Sequence, residues 1–110
     1  MNTKIALGYS QGSLISYDYF KEDSCFMKSI HRDRVSCIEW YGNTIYTGSR
    51  DRTVKGVDTR ANHETIIFPQ DHYQELCGVK AYSNYLASGG NDNSVYIYDI
   101  RKNSQYLSHY

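Results

Sequence analysis

The chain has 110 residues, 40% of them hydrophobic, and its 12 basic and 12 acidic side chains cancel to a formal net charge of +0. That length supports one small domain with a modest core, and the apolar share excludes wholesale disorder. The charge balance excludes a nucleic-acid or membrane surface held by bulk charge, and no window approaches the ~20 apolar residues of a membrane span.

The N-terminal residues lack the apolar core of a signal peptide, so an intracellular protein is the expectation. Cys25, Cys37 and Cys77 are odd in number and have no C-x-x-C spacing. They are expected to be reduced thiols, buried or half-buried. His31, His63, His72 and His109 do not cluster with them, so no metal and no cofactor is expected. Twelve tyrosines against one proline favour strands and short turns.

In chain order, Ile5–Gly8, Leu14–Asp18 and Cys25–Ser29 read as three strands. Val35–Trp40, Thr44–Gly48, Thr53–Asp58 and Glu64–Phe68 follow, parted by turns at Tyr41-Gly42-Asn43 and Ser49-Arg50-Asp51-Arg52. Then come Glu75–Ala81, Tyr85–Gly89, Ser94–Asp99 and a weak Ser104–Ser108. Alternation such as Val95 and Ile97 against Tyr96 and Tyr98 puts side chains on both sheet faces. The stretch Cys25–Trp40 is the one place where a helix competes, and its β-branched residues decide against it.

The chain repeats itself. His31 matches His72, Val35 matches Leu76, Thr47 matches Ser88, Gly48 matches Gly89, Asp51 matches Asp92 and Asp58 matches Asp99, always 41 residues apart with no gap. A weaker copy pairs Gly8 with Gly48, Leu14 with Val54 and Asp18 with Asp58 at a spacing of 40. A period of ~40 to 45 residues with four strands per unit marks a β-propeller blade. The expected fold is all-β: a propeller fragment with a partial blade at 1–30 and complete blades at 31–70 and 71–110.

These units resemble WD repeats. That pattern has a His before the first strand, a Ser or Thr in the second, an Asp in the next turn, and Trp-Asp closing the third. The corresponding sets are His31, Thr47, Asp51, Val57-Asp58 and His72, Ser88, Asp92, Tyr98-Asp99. The Asp is expected to accept from the His ring and from turn N–H groups, and the His to reach the hydroxyl. Tyr98 keeps an O–H at the Trp position, Val57 has none, and Gln11 stands where the first unit would have its Asp. A hydrolase triad of Ser88, His72 and Asp92 competes with this reading. The same trio recurs one unit earlier, and no glycine-framed nucleophile elbow is present, so a turn network is expected and no enzyme.

Asp92 therefore has a structural task, and its neighbours Asn91 and Asn93 stand out. Both tolerate left-handed backbone angles. The matching turn carries Arg50 and Arg52, so the fold does not require Asn there.

At this point the sequence "QELCGVKAYSNYLASGGNDNSVYIYD" resembles the fourth blade of the Fizzy and Fizzy-related activators of the anaphase-promoting complex. "HRDRVSCIEWYGNTIYTGSRDRTVKGVDTR" is similar to their third blade, and "ALGYSQGSLISYD" to the end of their second. The resemblance implies a substrate-recognition module of a ubiquitin ligase in cell-cycle control, with Asn91 and Asn93 binding a Lys-Glu-Asn degron. It implies degron-bearing proteins and subunits of the complex as partners, and the nucleus and cytoplasm as location. It also implies a second peptide groove between the first two units, where no residue is assigned. Arg50 and Arg52 are expected to be solvated turn residues. The first and seventh blades, the C-box and the Ile-Arg tail of that family have no counterpart here, so the chain is not expected to act alone. Fewer than three whole blades leave an apolar face at each end. Self-association or joining to further blades is therefore expected. A generic WD-repeat scaffold is the alternative.

Overall fold

Alternation along each segment decides which face is buried. In Ser13–Asp18, Leu14, Ser16 and Asp18 are buried while Ile15 and Tyr17 remain partly open, the period of two that a strand imposes. A computed structural model describes residues 3–60 and 65–110. Among these residues there are eleven strands and no helix.

The strands form three antiparallel sheets. The first joins β1 (Lys4–Gly8), β2 (Ser13–Asp18) and β3 (Asp23–Ser29). The second runs β4 (Val35–Tyr41), β5 (Thr44–Ser49), β6 (Val54–Asp58), β7 (Thr65–Ile67). The third runs β8 (Leu76–Tyr82), β9 (Tyr85–Gly90), β10 (Val95–Asp99), β11 (Lys102–His109). Neighbours in each sheet are neighbours in sequence, which is the meander of a propeller blade.

The strand at Glu64–Phe68 is observed as Thr65–Ile67; Glu64 and His63 lie outside the described residues. The last strand is longer than its side chains suggest, eight residues from Lys102. An outermost strand is held by main-chain pairing to one neighbour, so its apolar pattern is a weak guide to its length. Its register also slips at Ile97/Tyr98 and Tyr98/Asp99.

Blades meet through a repeated device. Val35, the first residue of β4, lies over Gly8 of the preceding blade, and Leu76, the first residue of β8, lies over Gly48. A Cβ at Gly8 would come within 2.6 Å of Val35, and one at Gly48 within 2.7 Å of Leu76. Both inner strands also lose register at the same place, between Val35 and Cys37 and between Leu76 and Gly78. This irregularity frees Ser36, whose hydroxyl donates to the Leu76 carbonyl at 2.6 Å. Glu39 accepts from the Ala81 N–H and from Lys80, and the Tyr41 hydroxyl accepts from the Ser83 N–H.

Two apolar clusters fill the seams. Leu14, Ile30, Ile45 and Val57 form one. Tyr46, Val54, Phe68, Leu76, Leu86, Tyr96 and Tyr98 are the large members of the other. Burial on this scale is the main driving force for sheet stacking.

Candidate functional site

The β5–β6 and β9–β10 turns hold the repeated polar trio. His31 Nδ1 lies 3.0 Å from Asp51 Oδ2, and its Nε2 lies 2.8 Å from the Thr47 hydroxyl. His72 Nδ1 lies 3.1 Å from Asp92 Oδ2, with Nε2 2.8 Å from the Ser88 hydroxyl. A carboxylate only accepts, so each ring donates from Nδ1–H, and a neutral ring then leaves Nε2 as an acceptor facing the hydroxyl. The carboxylates also gather main-chain donors: Arg32 and Thr53 N–H groups on Asp51, Tyr73 and Ser94 N–H groups on Asp92.

Burial alone would raise the Asp51 carboxyl. The Thr53 hydroxyl, the two N–H donors and the His31 ring overcome it and hold the group at about 2. Asp92 moves down for matching reasons: burial opposes, and the Tyr73 and Ser94 N–H groups and His72 prevail. His31 moves below its ordinary value because burial disfavours its charged form, against the pull of Asp51. Thr47 and Ser88 are 0% and 1% exposed, so neither hydroxyl faces solvent.

The fourth member of the network varies. The buried Tyr98 hydroxyl donates to Asp71 at 3.2 Å and also contacts the Ser88 hydroxyl, so it reaches a carboxylate beside His72 that the sequence reading did not single out. Val57 sits in the first apolar cluster. In the partial blade, where Gln11 replaces the Asp, the Gly12 carbonyl directly accepts the Ile30 and His31 N–H groups.

One turn position is left-handed in all three blades: Gly12 at φ 101, Arg52 at φ 72 and Asn93 at φ 60. Arg52 shows that the angle does not demand Asn. Asn91 and Asn93 are both exposed on either side of Asp92, whose side chain is buried. They are not equivalent. Asn91 accepts from the Cys77 thiol at 2.8 Å through Oδ1 and lines a cleft of about 480 Å3 between the second and third blades. Its amide nitrogen keeps two donors for a ligand. Asn93 does not line that cleft, and among the described residues its carboxamide has no hydrogen-bond partner.

Arg34, Ser36, Glu75 and Cys77 also border the cleft. The sequence reading placed no function on any of them, and its expectation of buried or half-buried thiols holds for Cys37 but not for Cys25 and Cys77, which lie on exposed positions of their strands. Cys77 lies within the QELCG motif, but only the fold shows that it steers a carboxamide 14 residues away. Arg50 and Arg52 are exposed and share a second depression with Arg32.

The family described as "WD domain, G-beta repeat" matches residues 24–58 and 67–99. Over 106 residues, 94% of its length, the chain is 36% identical to the APC/C activator protein CDH1 of Saccharomyces cerevisiae, covering 19% of that protein. Over 99 residues, 88% of its length, it is 31% identical to Protein FIZZY-RELATED 1 of Arabidopsis thaliana, covering 21% of it. The chain thus spans about a fifth of the curated relatives it matches. A chain in the crystal structure of a mitotic checkpoint complex superposes with a TM-score of 0.90 at 30% identity, over 98% of this chain and 33% of that one. The computationally designed Ika8 protein superposes equally well, at 0.90, with 19% identity over 100% of this chain and 34% of its own, a likeness of fold alone.

Proposed function

Because this chain belongs to the WD domain, G-beta repeat family, we propose that it supplies the degron-reading blades of an activator of the anaphase-promoting complex. Its work is recognition of a Lys-Glu-Asn peptide on substrates or inhibitors of the ligase, in the nucleus and cytoplasm. The reading is supported by its likeness to APC/C activator protein CDH1 and the Fizzy-related protein, which covers most of the chain. The observation that carries the site is the pair of exposed carboxamides flanking a buried, fully engaged carboxylate.

The chemistry suits a polar peptide. Asn91 donates twice while Cys77 occupies its oxygen, so it can bond a peptide carbonyl or a Glu carboxylate. Asn93 offers both donors and an acceptor, as recognition of an Asn side chain requires. Both are anchored through the main chain: the Asn91 N–H donates to the Glu75 carbonyl at 2.9 Å, and the Asn93 N–H to the Gly90 carbonyl at 3.2 Å. Groups already ordered lose less entropy on binding.

A generic interaction scaffold is the second reading, favoured by one observation. The left-handed angle at Asn93 gives that residue a sufficient local reason to be Asn. The test titrates a Lys-Glu-Asn peptide against the chain, alone and joined to the remaining blades. Asn91→Ala, and Asn93→Gly to avoid strain, should each weaken binding by about 1 kcal/mol for each hydrogen bond lost. Unchanged affinity in both variants leaves the scaffold reading standing.

A further inference from the structure

We propose that the depression framed by Arg32, Arg50 and Arg52 receives the acidic residues of an extended peptide that continues from the carboxamide site of the next blade. The proposal rests on the reading of Asn91 and Asn93 as peptide-binding and adds a second, charge-selective half to that site.

The two halves are copies of one scaffold. Arg50 and Asn91 hold the same place in successive blades, and their N–H groups make the same bond, to Arg34 O at 3.1 Å and to Glu75 O at 2.9 Å. Arg52 and Asn93 share the left-handed angle, with N–H groups bonded to Ser49 O and Gly90 O. Arg32 takes the place of Tyr73, and both N–H groups hold the turn carboxylate. The backbone is therefore constant while the outward chemistry changes from amide and phenol to three guanidinium groups.

Those guanidinium groups are under-compensated. Among the described residues, Asp33 and Asp51 are the carboxylates of the depression, whose volume is about 340 Å3. Asp51 is buried and occupied by the His31 network. Asp33 sits 3.8 Å from Arg50, with side chains 45% and 61% exposed, a loose surface contact. Arg34 nearby is satisfied by a two-pronged bond to Glu75, whose carboxylate also feels the charge of Arg50 without a hydrogen bond to it. The strip between the halves is thereby neutralised, and the free positive charge lies beyond it. Guanidinium forks match carboxylates in shape.

The span is short. Stacked sheets lie ~10 Å apart and an extended chain advances ~3.3 Å per residue, so about three residues separate the two halves. A carboxylate-bearing peptide fits better than a nucleic acid. The chain carries no net charge, and Asp33 interrupts the patch where a phosphate track would want continuous cation.

The experiment titrates fluorescent peptides against the full chain. One set carries Asp-Asp about three residues before or after Lys-Glu-Asn, a second has Asn-Asn in its place, and a third keeps Asp-Asp but replaces Lys-Glu-Asn by alanines. One of the two acidic arrangements should bind about fivefold more tightly than its Asn-Asn counterpart at low ionic strength, the size of a well-formed surface charge contact. That gain should vanish in salt near ~1 M and in the Arg50→Gln, Arg52→Gly double variant, whose affinity for the Asn-Asn peptide stays unchanged. Arg50→Glu should reverse the preference. The absence of any acidic gain, a gain that survives in the double variant, or displacement of the peptide by an equimolar single-stranded oligonucleotide would overturn the proposal. Dependence on the acids with indifference to Lys-Glu-Asn would support the cation site and remove only the carboxamide reading; the converse would remove only the cation site.

Discussion

Arg34 and Glu75 hold the same place in adjacent blades, and the guanidinium of one grips the carboxylate of the other through two bonds of 2.8 and 2.9 Å. A repeat that reused the same residue at this position would place like charges together at every seam. The bond to Arg34 lowers the Glu75 carboxyl from its ordinary value, and Glu75 raises the Arg34 guanidinium in return. Either single substitution, Arg34→Glu or Glu75→Arg, should lower the melting temperature, and the exchanged double variant should recover most of the loss. The recovery should shrink in ~1 M salt, because one partner is half exposed and screened. Thermal melts of the four proteins at two salt concentrations check this. Equal melting temperatures throughout would mean that the seam is held by packing alone.

Asp51 should contribute to acid stability. Its folded value near 2 lies below the ordinary 3.8, so its contribution is complete above about pH 4 and fades as the pH falls toward 2. His31 adds an earlier loss. Its folded value is depressed, so the unfolded chain takes up a proton first as the pH falls below about 6.5. Asp51→Ala leaves the buried His31 ring and the Arg32 N–H without their acceptor. It should cost about 2 to 4 kcal/mol at neutral pH and flatten the lowest part of the profile. Denaturant midpoints from pH 8 to pH 2 read both effects.

What the sequence made legible follows from what repeats. Strand order and the His31–Thr47–Asp51 and His72–Ser88–Asp92 sets are each visible because a second copy lies at the same spacing. The contacts that were not legible join residues that break the repeat. Tyr98 meets Asp71, and Cys77 meets Asn91, as side-chain pairs that have no counterpart one repeat earlier among the described residues. The different stations of Asn91 and Asn93 belong to the same class. Periodicity places both in a turn, but the irregularity at Leu76/Gly78, next to Cys77, lies in the inner strand and cannot be read from the turn.

Tyr98 tests how a blade manages without the usual Trp. Its ring is fully buried, packs edge-on against Phe68 with centroids 5.2 Å apart, and donates its hydroxyl to Asp71. Burial, and Asp71 beside it, push the phenol far above its ordinary value, so it stays a donor at any working pH. Tyr98→Phe keeps the packing and removes the bond, at a cost of about 1 kcal/mol; Tyr98→Ala should cost about 3 to 5 kcal/mol by opening a cavity. Urea titrations of the two variants separate the polar share from the packing share. A Phe variant as unstable as the Ala variant would mean that the hydroxyl, and not the ring, holds the seam.

The glycines facing each seam allow the open end of the array to be tested directly. At Gly8 and Gly48 a new Cβ would collide with Val35 and Leu76, at 2.6 and 2.7 Å. At Gly89, the matching position of the last blade, no atom of the described residues lies within 4 Å of a new Cβ. The outer faces at the two ends are apolar: Leu7 and Met27 flank Ile15 across the first sheet and are 41% and 67% exposed, while Val95 at the far end is 40% exposed. Gly48→Ala should therefore destabilise the chain by about 1 to 3 kcal/mol through overpacking, whereas Gly89→Ala should be nearly neutral. Joining a further blade changes the second expectation, because its inner strand brings a side chain onto Gly89 as Val35 and Leu76 are brought onto Gly8 and Gly48. The same Gly89→Ala change should then cost as much as Gly48→Ala. Sedimentation of the unextended chain should show association through the exposed ends, reduced by Leu7→Ser with Met27→Ser. If Gly89→Ala is as damaging in the unextended chain as Gly48→Ala, and sedimentation shows that it blocks association, the chain's own copies cover that face and no added blade is needed to explain it.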